Sequence, residues 1–504
     1  MKTNYQVIII GSGFGGQCAA INLKKKGIED FLILERRDFM GGTWCQNAYP
    51  GAAVDVQSLL YSIESEPYDW SQMFAEGEEL QRYTNHVIEK HGLREKTRCN
   101  SNVKLIQWDE EAQQWEVSVE GGKAFTAQFV INASGPLSTP VIPNFKGKDT
   151  FKGESFHTNN WNQDYDHRGK RVAVIGSGAS AAQVIPAIAP DVKKLDIFQR
   201  SPHWVMPRHD RELTKFERAL LKVEPIRKLA RAAIYWGLES RVIGFKYSEA
   251  ALKKVAQKAA LKHIHRQIKD PELRKKVTPD FTIGCKRIIL SNTLYPAYCR
   301  ENVTLHDRAD GIAEINEKGI LTTHGEQVDL DCIVYSTGYD ATDGVISYPV
   351  VGKGGQRLSD FWSDYPRAYL GTCIPKFPNL FIVTGPNTGI GHTSAIFVIE
   401  AQMHYIMKAI SEVKAQGAAA IEVKPQAEAR YTDFVHTEME KTVWQNGGCD
   451  SWYKSKSGKV IAMFPGFSFT YLQMAKRFKP LDHQFLSHSV SKVSREKEEL
   501  EEMA

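Results

Sequence analysis

The sequence contains no CxxC pair. Its eight cysteines, at 18, 45, 99, 285, 299, 332, 373 and 449, are scattered and form no evident disulfide framework. Scattered thiols suit a reducing cytoplasm, and a redox-active dithiol is excluded on spacing alone. No apolar run approaches the roughly 18 residues that a spanning helix requires. The apolar stretch in MKTNYQVIIIGSG is too short for a signal-peptide core and reads as a first strand. Charge of one sign is also in short supply. A net +5 over 504 residues is too little to imply nucleic acid. With 42% apolar and 24% charged residues, the chain has globular composition and enough length for more than one domain.

Glycine, by contrast, is placed with care. YQVIII runs into GSGFGG, so Gly11, Gly13 and Gly16 form GxGxxG directly after a strand. A helical pattern follows, and then FLILE, which ends in Glu35 nineteen residues beyond Gly16. The first glycine of such a turn permits the bend. The second lets backbone N–H groups approach a pyrophosphate, the third lets helix pack on strand, and the acid accepts from a ribose diol. RVAVIGSGASAAQVIPAIA repeats the plan with Gly176, Gly178 and Ala181, and the next strand, KLDIFQR, ends at Arg200 instead of an acid. An acid there would repel a 2′-phosphate, whereas an arginine can pair with it. The first cradle therefore suits FAD and the second a dissociable NADPH.

FVINASGPL (129–137) and CIVYSTGYD (332–340) each read as a buried strand followed by a small-residue turn, the kind that returns a chain between two such domains. Between the second cradle and residue 277, stretches such as ALLKVEPIRKLARAAI and ALKKVAQKAALKHIHRQI carry helical spacing and many basic residues. They predict a helical insert over 212–276 that caps a cavity. The segment 223–243 within it reads as a surface or lid helix, with contact to a membrane surface as the minor alternative. The closing SREKEELEEMA reads as a solvated charged helix or a frayed tail.

Two motifs make a family resemblance visible. FKGESFHTNNWN contains Phe151, Gly153, His157 and Trp161 as FxGxxxHxxxW between the two cradles. That arrangement resembles the class B flavoprotein monooxygenases, and Trp161 stands where the flavin-containing monooxygenases proper have Phe or Tyr. Asn162 departs from the Pro or Asp that usually follows. GGTWCQNAYPGAAVD fits the Baeyer–Villiger pattern through Gly42, Trp44, Tyr49, Pro50, Gly51 and Asp55. GCKRIILS resembles the family segment that brings an arginine to the flavin, and NLFIVTGPNTGIGHTS and GGCDSWYKSKSGKVIAMFPG resemble late FAD-domain segments. The resemblance covers about nine-tenths of the chain.

The resemblance implies an α/β fold: two Rossmann-like dinucleotide-binding domains, for FAD and NADPH, with the helical insert in the NADPH domain. The boundaries expected are 1–150 and 331–488 for FAD, 151–211 and 277–330 for NADPH, 212–276 for the insert, and 489–504 for a charged tail. It implies an NADPH- and O2-dependent enzyme that inserts one oxygen atom into ketones through a C4a-peroxyflavin, giving esters or lactones, and that also oxidises sulfides. Arg287 would stabilise the peroxide anion and Asp55 would hold Arg287. Gly11, Gly13, Gly16, Glu35, Thr43, Trp44 and Asp55 would bind FAD. Gly176, Gly178, Ala181, Arg200 and Lys286 would bind NADPH, with the last two on the 2′-phosphate. Phe151, Gly153, His157 and Trp161 would position the domains, His157 by bonding at both ring nitrogens. No metal is expected. A monomer or homodimer in the cytoplasm is the expected form, and the part played by His392 is left open. The nearest rival is a flavin-containing monooxygenase restricted to sulfur or nitrogen. A disulfide reductase shares the cradles but needs the missing dithiol, and a non-catalytic nucleotide sensor has no use for Asp55 and Arg287.

Overall fold

The computed structural model describes residues 2–341 and 345–488, and the expected charged tail lies outside them. The first sheet is built from β1 (Asn4–Ile10), β2 (Phe31–Leu34), β3 (Thr97–Arg98), β4 (Val103–Asp109), β5 (Gln114–Val119) and β6 (Lys123–Asn132). Its order is Val350–Val351, β4, β5, β6, β1, β2, β3, and the strand Leu380–Ile382 also pairs with β6. β1 lies between β2 and β6, parallel to both, with Ile8 opposite Leu32 on one side and Val130 on the other. A strand covered on both faces needs apolar side chains at successive positions, and Val7 to Ile10 are all buried.

The second sheet is wholly parallel. It contains β7 (Glu154–His157), β8 (Arg171–Ile175), β9 (Lys194–Phe198), β10 (Val303–His306) and β11 (Cys332–Tyr335), in the order β10, β9, β8, β11, β7. The histidine-bearing motif is therefore not a free linker: Glu154–His157 is the edge strand of this sheet, with His157 opposite Tyr335. Helices α1 (Phe14–Lys25) and α2 (Ala179–Ile188) follow the two glycine turns and make the crossovers to β2 and β9.

The two sheets share one construction detail that explains the strand-and-turn segments after β6 and β11. A side chain on Gly11 would put its Cβ 2.5 Å from the carbonyl oxygen of Ala133, just past β6. A side chain on Gly176 would stand 2.2 Å from the carbonyl of Ser336, just past β11. In both cradles the first glycine is required by the neighbouring strand's exit, and both have φ above 100° as well.

Helices dominate 212–276. The chain enters through a capping box in which Glu217 N donates to Thr214 Oγ at 3.2 Å and Thr214 N donates to the Glu217 carboxylate at 2.9 Å. Then come α3 (Glu224–Glu239), two π-turns at Ile243–Tyr247 and Leu252–Gln257, and α4 (Lys258–Gln267). α3 docks on α5 (Ala395–Ala415): Tyr235 stacks on Phe397 at 4.8 Å, and Arg231 reaches Glu400 at 3.4 Å. No helix among the described residues is long and apolar enough to cross a membrane.

One reading of the cysteines is corrected. Cys285 and Cys449 form a disulfide across a sequence separation of 164, with Cα atoms 6.1 Å apart. The other six are free. Gly447 makes room for the bond, since a Cβ there would stand 2.6 Å from the Cys285 Cβ. No spacing rule reaches across that separation.

Candidate active site

A cavity of about 960 Å3 runs from the first glycine turn to the helical insert. It is lined by Gly11, Gly13, Glu35 and Thr43 of the first cradle and its cover, by Asp55 and Arg287, and by Leu238, Arg241 and Val255 of the insert.

At the nucleotide end, β1 delivers the turn and β2 delivers Glu35, which is 7% exposed. Its carboxylate accepts from Ser12 N at 3.0 Å, Ser12 Oγ at 2.6 Å and Arg37 N at 3.0 Å. α1 packs hard against the turn: a Cβ on Gly16 would fall 2.0 Å from the Gly11 carbonyl oxygen. The Gly41–Gly42 bend covers the turn from above. Gly41 N donates to Ser12 Oγ at 3.2 Å, and a Cβ on Gly42 would stand 2.6 Å from the Gly13 Cα. Thr43 opens the short helix Thr43–Gln46 beyond that bend, and Trp44 Nε1 donates to Tyr61 OH at 3.1 Å. The amides where the turn enters α1, unpaired among the described residues, and a bound acid at the β2 end fit an adenosine diphosphate moiety.

The segment from Tyr49 to Asp55 crosses to the second sheet. Tyr49 OH donates to Gln183 Oε1 at 2.8 Å, Gln183 Nε2 donates to Ala53 O at 2.8 Å, and a Cβ on Gly51 would stand 2.7 Å from the Gln183 carbonyl. α2 thus holds Tyr-Pro-Gly, and the segment ends at Asp55. Arg287 Nε donates to Asp55 Oδ2 at 2.7 Å, and Nη2 also closes on that oxygen. Nη1 has no partner among the described residues and the side chain is 47% exposed, an exposure that faces the cavity within a wall of protein. The Asp55 charge holds the Arg287 guanidinium above its usual range, outweighing burial. Tyr49 and Tyr453 stand close to the pair. Burial pushes both up to about 12, so they remain neutral beside it.

The second cradle is open. A Cβ on Gly178 would meet nothing within 4 Å, and Ala181 is fully buried where the first cradle has Gly16. Ser177 Oγ donates to Ser201 O at 2.7 Å, and Lys286 Nζ donates to Ser201 Oγ at 3.1 Å. Lys286 is held below the usual lysine range by burial and then by the neighbouring Arg200, which is exposed. Two cations, two serine hydroxyls and bare turn amides converge there, a donor set that fits phosphate.

The histidine-bearing motif works through a residue that sequence reasoning did not single out. Asn159 N donates to His157 Nδ1 at 3.0 Å. The Asn159 side chain accepts from Gln46 Nε2 at 2.6 Å and donates to Tyr339 OH at 3.1 Å. It therefore ties the Gly42–Asp55 segment to the turn after β11. His157 bonds at one nitrogen, not two. Nε2 faces the Gly338 backbone without hydrogen-bond geometry, and burial pulls the ring down to about 4. Gly153 is needed because a Cβ there would stand 2.5 Å from the Phe151 ring and 2.6 Å from the Asp331 carbonyl. Trp161 packs edge-on to Phe156 at 4.9 Å. His392 lines the cavity with its imidazole fully buried, Nε2 lying 3.0 Å from the Glu239 carboxylate, which also accepts from Ser468 Oγ at 2.7 Å. The Cys285–Cys449 bond does not line the cavity. Besides Asn159, sequence reasoning missed Gln183, Ser177, Tyr453 and Arg241. Gln183, Ser177 and Tyr453 meet their neighbours over distances in sequence that no local pattern encodes, and Arg241 is one basic residue among many in the insert.

The sequence profile of the pyridine nucleotide-disulphide oxidoreductases matches residues 8–215. A Baeyer–Villiger monooxygenase of Pseudomonas aeruginosa is 41% identical over 97% of this chain and 93% of its own. Among solved structures, OTEMO in complex with FAD and NADP superposes with a TM-score of 0.87 at 28% identity, covering 96% of this chain and all of that one. Cyclohexanone monooxygenase from Rhodococcus sp. Phi1 bound to NADP+ gives 0.86 at 28% identity, covering 97% of this chain and all of that one. With two glycine cradles, the first opening on the cavity that holds Asp55 and Arg287, and a relative 41% identical over 97% of this chain and 93% of its own, the chain belongs to the Baeyer–Villiger monooxygenases.

Proposed function

We propose that the chain oxygenates ketones to esters or lactones with NADPH and O2, using FAD in the first cradle and NADPH in the second. The observation that carries this is the Asp55–Arg287 pair in the cavity wall, with Nη1 of the arginine left over. When bound, FAD supplies hydride acceptance from NADPH and activation of O2 for transfer of one oxygen atom. The chain's own part is positional and electrostatic. Asp55 fixes the plane of the guanidinium and keeps it charged, and a fixed cation in a walled site stabilises a developing oxyanion without reorganising. The neutral tyrosines beside the pair add no second negative charge. Gly11, Gly13, Gly16, Glu35, Thr43 and Trp44 hold FAD in this reading. Gly176, Gly178 and Ala181 receive NADPH, with Arg200 and Lys286 on the 2′-phosphate.

The two sheets support the division into FAD-binding parts 1–150 and 331–488 and NADPH-binding parts 151–211 and 277–330 around the insert, except that Cys332–Tyr335 lies inside the second sheet, between β8 and β7, so the return to the FAD-binding part comes after it. Phe151, Gly153, His157 and Trp161 set the angle between them, with Asn159 as the contact. A monomer or a homodimer is the proposed form. The six free thiols suit the cytoplasm.

The test is turnover. The yellow protein is given NADPH, air, a panel of cyclic and aryl ketones and an aryl sulfide, and products are scored by mass spectrometry. Ester or lactone one oxygen heavier than its ketone is expected. Sulfoxide with no ester from any ketone would favour the rival restricted to sulfur and nitrogen.

A further inference from the structure

Besides Arg287, three arginines line the cavity: Arg36 and Arg37 next to Glu35 of the first cradle, and Arg241 in the insert, which the mechanism above does not use. Arg241 follows the end of α3 and precedes the π-turn at Ile243–Tyr247, and it lines the cavity. It is exposed there and makes no side-chain hydrogen bond or ion pair among the described residues. It is not a helix cap either, since its guanidinium bonds none of the last carbonyls of α3. Burial holds it below the usual arginine range and the Asp55 charge opposes that, but a guanidinium stays protonated at neutral pH all the same.

The charges around it do not cancel. Asp55 is committed to Arg287 through two nitrogens, and Glu35 accepts from the backbone amides of Ser12 and Arg37 and from the Ser12 hydroxyl. The cations suited to the 2′-phosphate, Arg200 and Lys286, gather at Ser201. Arg241 instead feels the charge of Asp55. Around it the insert presents Leu238, Ile243, Leu252 and Val255 to the same cavity. An apolar wall with one unmatched cation fits a ligand with an apolar body and one anionic end.

We infer that Arg241 selects ketones that carry a carboxylate, the body of the substrate lying along the apolar wall of the insert while the carboxylate pairs with the guanidinium. The inference rests on the ketone-oxygenating reading for its catalytic arm, but its binding arm does not depend on it. A charge-assisted hydrogen bond to a fixed guanidinium is worth about ten- to a hundredfold in affinity over a neutral group of the same shape.

The probe is a matched pair, an oxodecanoate methyl ketone and its primary amide. Each is titrated into the FAD-loaded, oxidised protein by flavin difference absorbance, and each is assayed for kcat/KM with NADPH. The wild type is expected to prefer the acid in both measurements. Arg241→Gln should lower the acid-over-amide ratio about ten- to a hundredfold, and Arg241→Lys should retain part of it. An equal ratio in wild type and Arg241→Gln would overturn the inference. So would a raised NADPH KM with no change in that ratio, which would assign Arg241 to the nucleotide. If neither ketone is turned over, the ketone reading is judged on the wider panel, and the titration ratio alone decides for or against Arg241.

Discussion

The two cradles follow one plan and differ in enclosure. Each has a strand, a glycine under the carbonyl of a neighbouring strand's exit, and a helix. In the first, Gly41–Gly42 closes over the turn, and Glu35 is buried with three donors on it. In the second, the turn is open at Gly178 and the corresponding strand end carries an exposed arginine. A covered site with a bound acid keeps its nucleotide through many turnovers. An open one rimmed by cations lets its nucleotide arrive and leave, paid for chiefly by charge. In the proposed reading, retention of FAD and exchange of NADPH follow from what lies over the turn, since the glycine spacing is nearly the same in both.

The most damaging way to break the comparison is at the turns. Gly11→Ala places a side chain at φ +102° and 2.5 Å from a backbone oxygen. The expected result is colourless protein, read from the flavin band near 450 nm, with activity lost. Gly178→Asp, by contrast, should fold and stay yellow, because that position is open. A carboxylate on the phosphate face should raise the NADPH KM by about a hundredfold or more, by electrostatic repulsion.

Arg287→Ala comes next. Loss of one preorganised oxyanion donor costs about a hundred- to a thousandfold, and here it should fall on ester formation while NADPH still bleaches the flavin. Stopped-flow reduction and product analysis separate the two steps. Arg200→Ala should raise the NADPH KM about ten- to a hundredfold and leave that for NADH within a few-fold, as a lost charge-assisted contact to the 2′-phosphate predicts. Equal effects on both nucleotides would remove the chemical difference between the cradles.

The smallest expected effects lie in the edge strand. Asn159→Ala removes two side-chain hydrogen bonds that span the units, so kcat should fall a few-fold with little change in flavin content. His157 and His203 are both pulled by burial to about 4. An unfolded histidine titrates near 6.5, so between about pH 6.5 and 4 the unfolded chain binds protons that the folded chain refuses, and stability drops as pH falls through that window. His157→Gln should flatten that slope, measured as melting temperature against pH.

Local features were legible in the sequence. Gly11, Gly13, Gly16 and Glu35 announce a cradle because strand, turn, helix and acid follow one another within 32 residues. The Asp55–Arg287 pair spans 232 residues and was legible only through resemblance to a family. The Cys285–Cys449 bond, the carbonyls of Ala133 and Ser336 above the glycines, and the bridge at Asn159 were not legible. Each depends on which distant segment the fold brings alongside. The motif around His157 was read as a linker because its strand partner, β11, lies 175 residues further on at Cys332–Tyr335. Arg241 was hidden for a different reason: in a helical stretch rich in lysine and arginine, nothing marks the one that faces inward.

The most direct measurement is isotopic. The FAD-loaded enzyme is given NADPH, a ketone panel and 18O2, and each product is analysed by mass spectrometry beside the Arg287→Ala variant. One labelled oxygen in the ester from the wild type, with none formed by the variant, is the predicted result. Hydrogen peroxide as the sole oxygen product with every ketone, or labelled ester at wild-type yield from Arg287→Ala, would contradict it.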